Sequence, residues 1–500
     1  MSRQATDLPL PLDRSAAEPL TAQIAARLRT AIRDGVLTAG ERLPGSRTLA
    51  AELGVSRTVV MEAYAQLYAE GWLEGRHGSG TYVADVRPDP APAVPETVET
   101  VEAEEAGVAG EAPEGWVDLR PGVPWVGALN TPAWRRAWRR AAEIAPSGRP
   151  DPWGSAGLRA ALCEHMRRTR GMTCRPGQVV VTRGATSGLD VLAATVLRPG
   201  DRVGVEEPGY RRARAVLEAR GAEVVPCPVD EHGLVVDALP DGLRLIYTTP
   251  SHQYPLGGVL PVPRRQALLA WARRTGTLVV EDDYDGEFRF DAAPLPALHG
   301  LDPQTVVYLG TMSKRLTADI GVGWLAAPRE LAAAVARRRL ELGDRTPAVP
   351  QEAVRLLLER GDLDRHIRRM RAEYARRRAL VVEAFAGLPL RGAGAGLHLV
   401  VELPPETVER VVVAAAREGV LLDSLDRHYA GPPTSSGLVI GYGAARAALL
   451  RDGCRRVRAL IDGADGGGGD RCRPSSGGRP VRPPRASAPA RRSAWAAGAG

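Results

Sequence analysis

Sixty-six of the 500 residues are lysine or arginine, and a single one of them, Lys314, is lysine. A guanidinium stays protonated near neutral pH, whereas an ammonium can lose its proton and attack a carbonyl carbon. A lysine kept in Tyr308-Leu-Gly-Thr-Met-Ser-Lys-Arg-Leu316, where arginine serves everywhere else, points to Schiff-base chemistry. An arginine-biased composition would also leave a stray lysine, so its companions decide. In Val181-Thr-Arg-Gly-Ala-Thr-Ser-Gly-Leu189, Gly184 allows a tight turn after a strand. The amides of Ala185 and Thr186 can then point at a phosphate from the first turn of a helix. Alone this is a weak signal, because many strand–helix turns look like it. Glu207-Pro-Gly-Tyr-Arg-Arg212 brings an aromatic and a cation to a second strand end, and Glu281-Asp-Asp-Tyr-Asp-Gly-Glu-Phe288 brings carboxylates to a third. Their order and convergence on one lysine make the set specific, since an open α/β sheet takes its ligand at the carboxyl ends of parallel strands.

The elements that must position these groups are legible in the pattern. From Trp116 to about residue 462 strands and helices alternate, the signature of an α/β domain with a largely parallel sheet. Candidate strands are Val179–Thr182, Arg202–Val205, Glu223–Val225, Leu245–Thr248, Leu278–Glu281 and Val306–Leu309, short apolar runs suited to burial on both faces. The large part extends to about residue 364, and residues 365–462 read as a smaller α+β lobe. Residues 1–17 read as a flexible leader. Within 18–86, Leu20, Ile24, Leu28 and Ile32 recur every four residues as on an amphipathic helix. Ser46 and Ser56 are placed to cap two short helices around Gly54-Val55, a helix-turn-helix within an α+β unit. Trp72-Leu73 and Thr81-Tyr-Val83 then flank a hairpin turn.

Residues 87–115 form a Pro- and Glu-rich linker, and 463–500 a Gly/Pro/Arg-rich tail expected to be disordered. The net charge of +7 does not mark a nucleic-acid binder, because the first 86 residues carry nine arginines against ten acids. Five scattered cysteines without a C-x-x-C pair exclude a disulfide frame or zinc site and suit a cytoplasmic protein. No apolar run is long enough to cross a membrane.

Leu43-Pro-Gly-Ser-Arg-Thr-Leu-Ala-Ala-Glu-Leu-Gly-Val-Ser-Arg57, with Gly71-Trp-Leu-Glu and Gly78-Ser-Gly-Thr-Tyr-Val83, resembles the GntR-family winged helix. The resemblance implies that Arg47, Ser56, Arg57 and Thr58 face DNA and that His77 and Gly78 of the wing meet the minor groove. Ser56, Arg57 and Thr58 open the recognition helix, where amides and dipole favour phosphate. Gly45 and Thr58 depart from the serine and asparagine usual there, which bears on operator choice. The four motifs of residues 116–460 resemble fold-type I, aminotransferase-like, pyridoxal-phosphate proteins. That resemblance implies pyridoxal 5'-phosphate held as an aldimine on Lys314. Gly184, Ala185, Thr186, Thr311 and Ser313 would take the phosphate, and Tyr210 would cover the ring. Asp282 would face the pyridine nitrogen, Tyr284 the ring 3-hydroxyl, and His252 would border it. Alternation along the strand turns Asp283 away. Arg212 matches a position that holds an effector carboxylate in the GABA-responsive branch.

A GntR-type winged helix joined to such a domain resembles the MocR-type regulators. The resemblance implies a transcription factor on a double-stranded DNA operator. It would be a head-to-tail homodimer sensing pyridoxal phosphate or a small amine or amino acid. A working aminotransferase and a regulator with a cofactor-free dimerisation scaffold are the alternatives. Two positions depart from the family pattern. Gly321 stands where an arginine usually grips the phosphate, with Arg315 and Arg183 as candidate substitutes. Leu438 aligns with the arginine that holds a substrate carboxylate, with Arg427 as a candidate substitute.

Overall fold

The computed structural model describes residues 10–76, 80–86, 112–290, 295–392 and 394–465. They fall into two compact units, divided near residue 109. In the first, α1 (Leu20–Arg33) buries Ile24, Leu28 and Ile32, as the four-residue spacing predicts. Helix α2 (Ser46–Leu53) starts one residue earlier than expected. Gly45 is its N-cap and Ser46 is already helical, so the serine caps nothing. Gly54, at φ 62°, ends α2 in the left-handed conformation that only glycine adopts cheaply. Helix α3 (Arg57–Ala69) is capped as expected, the Ser56 hydroxyl accepting from the Val59 amide at 3.4 Å. Strands β1 (Leu73–Arg76) and β2 (Gly80–Val83) pair antiparallel as the wing. The leader differs from expectation over its described part. Leu10 is buried in the winged-helix core, Gln23 donates to the Asp13 carbonyl at 2.8 Å, and Arg14 donates to the Gly54 carbonyl at 2.8 Å. Leu10 and Leu12 supply apolar area that favours docking over solvation. The wing tip and most of the linker and tail lie outside the described residues.

The second unit opens with β3 (Val117–Asp118), then α4 (Pro132–Ala141) and α5 (Ala156–Arg170). The alternation that follows is β4 (Val179–Thr182), α6 (Ala185–Val196), β5 (Arg202–Glu207), α7 (Arg211–Ala219), β6 (Glu223–Asp230), β7 (Gly233–Leu234), β8 (Leu245–Thr248), α8 (Val262–Thr275), β9 (Leu278–Asp282), β10 (Val306–Thr311) and β11 (Gly323–Ala326). They build an eight-stranded sheet ordered β4-β11-β10-β9-β8-β5-β6-β7. Strands β10, β9, β8, β5 and β6 are parallel to one another, β7 pairs antiparallel with β6 at one edge, and β11 runs antiparallel between β10 and β4. All six expected strands form, four of them extended toward the carboxyl end where the candidate site lies.

Helices α9 (Arg329–Glu341), α10 (Ala348–Glu359) and α11 (Asp362–Ala384) lead to the small lobe. Its strands are β12 (Leu390–Arg391), β13 (His398–Glu402), β14 (Val420–Leu421), β15 (Asp423–Ser424) and β16 (Gly437–Gly441), with α12 (Pro405–Arg417) and α13 (Ala447–Asp465). The order of the lobe's sheet is β12-β13-β16-β15, while β14 pairs with β3, so the domain's first strand docks on its last lobe.

Leu67 is fully buried among α1, α2 and the wing. Leu67→Ala should cost about 2–5 kcal/mol of the first unit's stability. Hydrogen exchange of the α1–α3 amides in the full chain should accelerate accordingly.

Candidate cofactor site and DNA-facing helix

The sheet delivers the chemistry-bearing residues to the carboxyl ends of β4, β5, β8, β9 and β10. Lys314 follows β10, and its Nζ donates to the Gly122 carbonyl. Burial, with help from the Arg212 guanidinium, pushes its amine down to about 8, against the pull of Asp285 and Asp282. A neutral amine is therefore accessible at ordinary pH, as imine chemistry requires. On the adjoining β9, Asp282 Oδ2 accepts from the Tyr247 hydroxyl at 2.6 Å, while Oδ1 is buried with no partner among the described residues. Burial raises this carboxyl to about 7, although Tyr247 and Lys314 favour its charge. His252 Nδ1 lies 2.9 Å from Asp285 Oδ2, and its Nε2 is a second buried, unpartnered atom.

Tyr284 lies where the sequence places it, but its hydroxyl donates to the His252 carbonyl at 3.1 Å and sits 3.0 Å from Nδ1. It is engaged by His252 rather than offered outward. Tyr254 is the aromatic the sequence reading missed. Its ring centroid is 5.7 Å from Tyr210, 5.9 Å from Tyr284, 5.0 Å from His398 and 5.2 Å from His428. Its position two residues after His252 was the available signal.

Gly184 is the N-cap of α6 at φ 135°, with no side chain capping the helix, so the first-turn amides at Ala185 and Thr186 stay available for an anion. A Cβ on Gly323 would lie 2.5 Å from the Gly184 Cα, so only glycine lets β11 approach this turn. Thr311 Oγ1 donates to Ser313 Oγ at 3.0 Å and accepts from the Ser313 amide at 3.1 Å, and a Cβ on Gly184 would lie 3.9 Å from that Thr311 oxygen. Turn and hydroxyls thus form one cradle. Tyr210, heading α7, lies close enough to the Thr186 side chain for it to favour the phenolate against the cost of burial, which brings ring platform and cradle together.

Both candidate substitutes for the missing arginine pair with carboxylates in this structure. Arg315 Nη2 is 2.6 Å from Glu287, and Arg183 pairs with Asp344 at 2.9 Å. Gly321 closes a short 3-10 turn at φ 55°, with open space where a Cβ would stand.

Beneath the site lies a dry set of charges. Arg170, the last residue of α5, contacts Asp283 Oδ1 at 2.7 Å, Ser251 Oγ at 2.8 Å and the Gly286 carbonyl at 3.2 Å. Asp283 Oδ2 accepts from the Tyr308 hydroxyl at 2.6 Å. Asp283 therefore points away from the face Asp282 presents, as strand alternation predicts. In the small lobe, Leu438 is fully buried in the main core. Its neighbour Val439 packs with Leu256 and Tyr429, and Gly441 lies against the Arg120 carbonyl. Arg427 lies 3.5 Å from Asp423.

In the first unit, Arg47, Arg57 and Thr58 are exposed around the start of α3. Arg57 Nε donates to Ser46 Oγ at 3.3 Å, which steadies the guanidinium at the helix N-terminus. Ser56 is engaged as the cap. His77 and Gly78 lie outside the described residues.

A winged helix and a pyridoxal-enzyme scaffold in one chain define a DNA-binding protein built on an aminotransferase fold. Residues 20–83 match the gntR family of bacterial regulatory proteins, and residues 116–432 match aminotransferase class I and II. The chain is 38% identical to the HTH-type pyridoxine biosynthesis transcriptional regulator PdxR of Corynebacterium glutamicum, covering 89% of this chain and 96% of that one. It is 34% identical to the probable rhizopine catabolism regulatory protein MocR of Rhizobium meliloti, covering 90% and 96%. Among solved structures it is similar to the α-aminoadipate aminotransferase LysN of Thermus thermophilus in complex with N-(5'-phosphopyridoxyl)-L-leucine. That match has a TM-score of 0.64 and 26% identity, covering 70% of this chain and 93% of that one. The chain belongs to the MocR-type family of gntR-like transcriptional regulators with an aminotransferase class I and II domain. Among the described residues no helix is long and apolar enough to cross a membrane.

The unpartnered Asp282 oxygen, the depressed Lys314 amine and the glycine-lined cradle fit pyridoxal phosphate. Two outcomes follow. Asp282→Asn removes a carboxylate whose charge is disfavoured in the fold. That cost is absent below the ordinary carboxyl pKa of 3.8, grows as pH rises toward about 7, and is fully present above it. The variant without cofactor should therefore melt higher than wild type at pH 8 and equal to it near pH 4, yet bind pyridoxal phosphate at least ~10-fold more weakly. Gly321→Arg would add a charge-assisted hydrogen bond of about 1.5–3 kcal/mol to cofactor binding, while a side chain in the left-handed region costs about 1–2 kcal/mol of stability in the free and loaded chain alike. Tryptophan-quenching titration should show cofactor binding tightened by about 10- to 150-fold, with a lower melting temperature of the unloaded chain.

Proposed function

We propose that the protein regulates transcription by binding an operator through its winged helix and by reading pyridoxal phosphate, or an amine that condenses with it, at Lys314. The observation that carries this reading is the pairing of Lys314 with the open Asp282 oxygen in a chain that also bears an exposed recognition helix. When bound, the cofactor supplies an aldehyde that accepts an amine and a ring that withdraws electrons once its nitrogen is protonated. The chain's residues do the rest. Lys314 offers a neutral amine, Asp282 Oδ1 holds the proton on the ring nitrogen, and Tyr210 and Tyr254 cover the ring and exclude water. Ala185, Thr186, Thr311 and Ser313 take the phosphate through amides and hydroxyls. Arg212, exposed at the start of α7 and close enough to depress Lys314, would meet an effector carboxylate.

Regulation is favoured over turnover because β16 offers Val439 and Gly441, not a guanidinium, beside the cleft, and positioning supplies much of transaminase catalysis. A cytoplasmic head-to-tail homodimer would give two half-sites and the affinity one winged helix lacks.

The test is fluorescence anisotropy with a duplex selected from random sequence. Pyridoxal phosphate should change operator affinity in the wild type and leave Lys314→Ala unmoved, while Arg57→Ala should weaken both states by about 1–3 kcal/mol. An identical cofactor response in Lys314→Ala would overturn the sensing role.

A further inference from the structure

His252, Asp282, Tyr284, Asp285 and Lys314 each have a chain neighbour anchored in the charged set beneath the candidate site. Ser251 precedes His252, Asp283 lies between Asp282 and Tyr284, Gly286 follows Asp285, and Arg315 follows Lys314. Arg170 touches three of these anchors, through Asp283, Ser251 and the Gly286 carbonyl. It comes from a different element, α5, and is 1% exposed. The fourth anchor closes through carboxylates, since Arg315 Nη2 is 2.6 Å from Glu287 and 3.9 Å from the same Asp283. Two guanidiniums thus balance two carboxylates out of reach of water. The fit admits little else, because a Cβ on Gly286 would lie 2.2 Å from Asp283 Oδ1 and 2.8 Å from the Arg170 guanidinium nitrogens.

We infer that Arg170 is a positioning residue for the cofactor site, acting through Asp283 and Ser251 to fix the ring-facing carboxylate and imidazole and to hold the electrostatic balance felt by Lys314. This inference rests on the pyridoxal-phosphate reading. A buried ion set contributes little net stability, since desolvation offsets attraction, and removing one member leaves its partner charged and unpaired. Losing Arg170 removes one positive charge from the floor and leaves Asp283, directly behind Asp282, balanced only by the Tyr308 hydroxyl and by Arg315 at 3.9 Å. That extra negative charge makes protonation easier at both Asp282 and the lysine nitrogen. At an effective dielectric near 20 and a separation of roughly 10 Å, this raises each pKa by about one. Methionine keeps the aliphatic length of arginine without its charge. Lysine keeps the charge, but its single ammonium cannot span the three acceptors of the guanidinium fork.

The experiment is a pH titration of the visible band of the full-length protein loaded with pyridoxal phosphate, together with cofactor affinity and thermal unfolding of the unloaded chain. Arg170→Met should bind cofactor at least ~10-fold more weakly, with the band's pH midpoint raised by about one. Arg170→Lys should keep the wild-type midpoint to within a few tenths while still losing affinity. Such a split between charge and geometry would not arise from general destabilisation. If Arg170→Met does not fold, the loss of affinity at unchanged midpoint in Arg170→Lys carries the test. A wild-type band with both variants matching it in midpoint and affinity overturns this inference alone. A wild-type chain that develops no band with pyridoxal phosphate refutes the underlying cofactor reading, and this inference with it.

Discussion

Two arginines and two carboxylates sit in the dry floor beneath the carboxyl ends of β9 and β10. Their mutual neutralisation is the constraint on which the site's geometry rests. Arg170 and Arg315 are each buried beyond reach of solvent, as are Asp283 and Glu287. A charge in such surroundings is costly unless paired, so each chain segment entering the floor has little freedom to slide or rotate. Strand alternation converts that restraint into function. With Asp283 turned down toward Arg170, Asp282 must turn up. With Arg315 turned toward Glu287, the preceding Lys314 is free to reach the opposite side.

The upper face is built on a different principle. Its groups are left incompletely satisfied: an Asp282 oxygen and a His252 nitrogen without partners, an amine depressed to about 8, and a helix N-terminus without a capping side chain. Such groups are expensive in a finished interior and sensible where a ligand completes them. The proposed phosphate cradle relies on neutral donors, with Arg315 beside Glu287 and Arg183 paired with Asp344. A dianion held by amides and hydroxyls is held less tightly than one gripped by a guanidinium. Exchangeable binding suits a sensor better than an enzyme that must keep its cofactor through many turnovers.

Much of this was legible in the sequence because its signals are local. Apolar runs marked the six central strands, four-residue spacing marked α1, and the lone lysine drew attention to the end of β10. What escaped depends on distant partners. The pairing of Arg170 with Asp283 joins residues 113 positions apart, and that of Tyr247 with Asp282 joins residues 35 apart. A buried arginine in an arginine-rich chain looks like every surface arginine until the fold is known. Tyr254 was hidden for a related reason, since an aromatic between a glutamine and a proline carries no periodic signal. Strand β11 was missed because Gly323-Trp-Leu-Ala is short and glycine-led, although glycine is what its approach to Gly184 demands. Leu438, aligned with a carboxylate-binding position, is buried in the main core, while Val439 on the other face of β16 packs with Leu256 and Tyr429, a facing that only the register of the strand decides.

The central claim is that the lone lysine, placed by that floor, takes a pyridoxal cofactor covalently. The most direct measurement is borohydride reduction of the protein incubated with pyridoxal phosphate, followed by digestion and mass mapping of the labelled peptide. A single pyridoxyl adduct on Lys314, formed stoichiometrically and blocked by prior reduction, is the predicted result. No adduct at saturating cofactor, or an adduct confined to the chain's α-amino group, would contradict it.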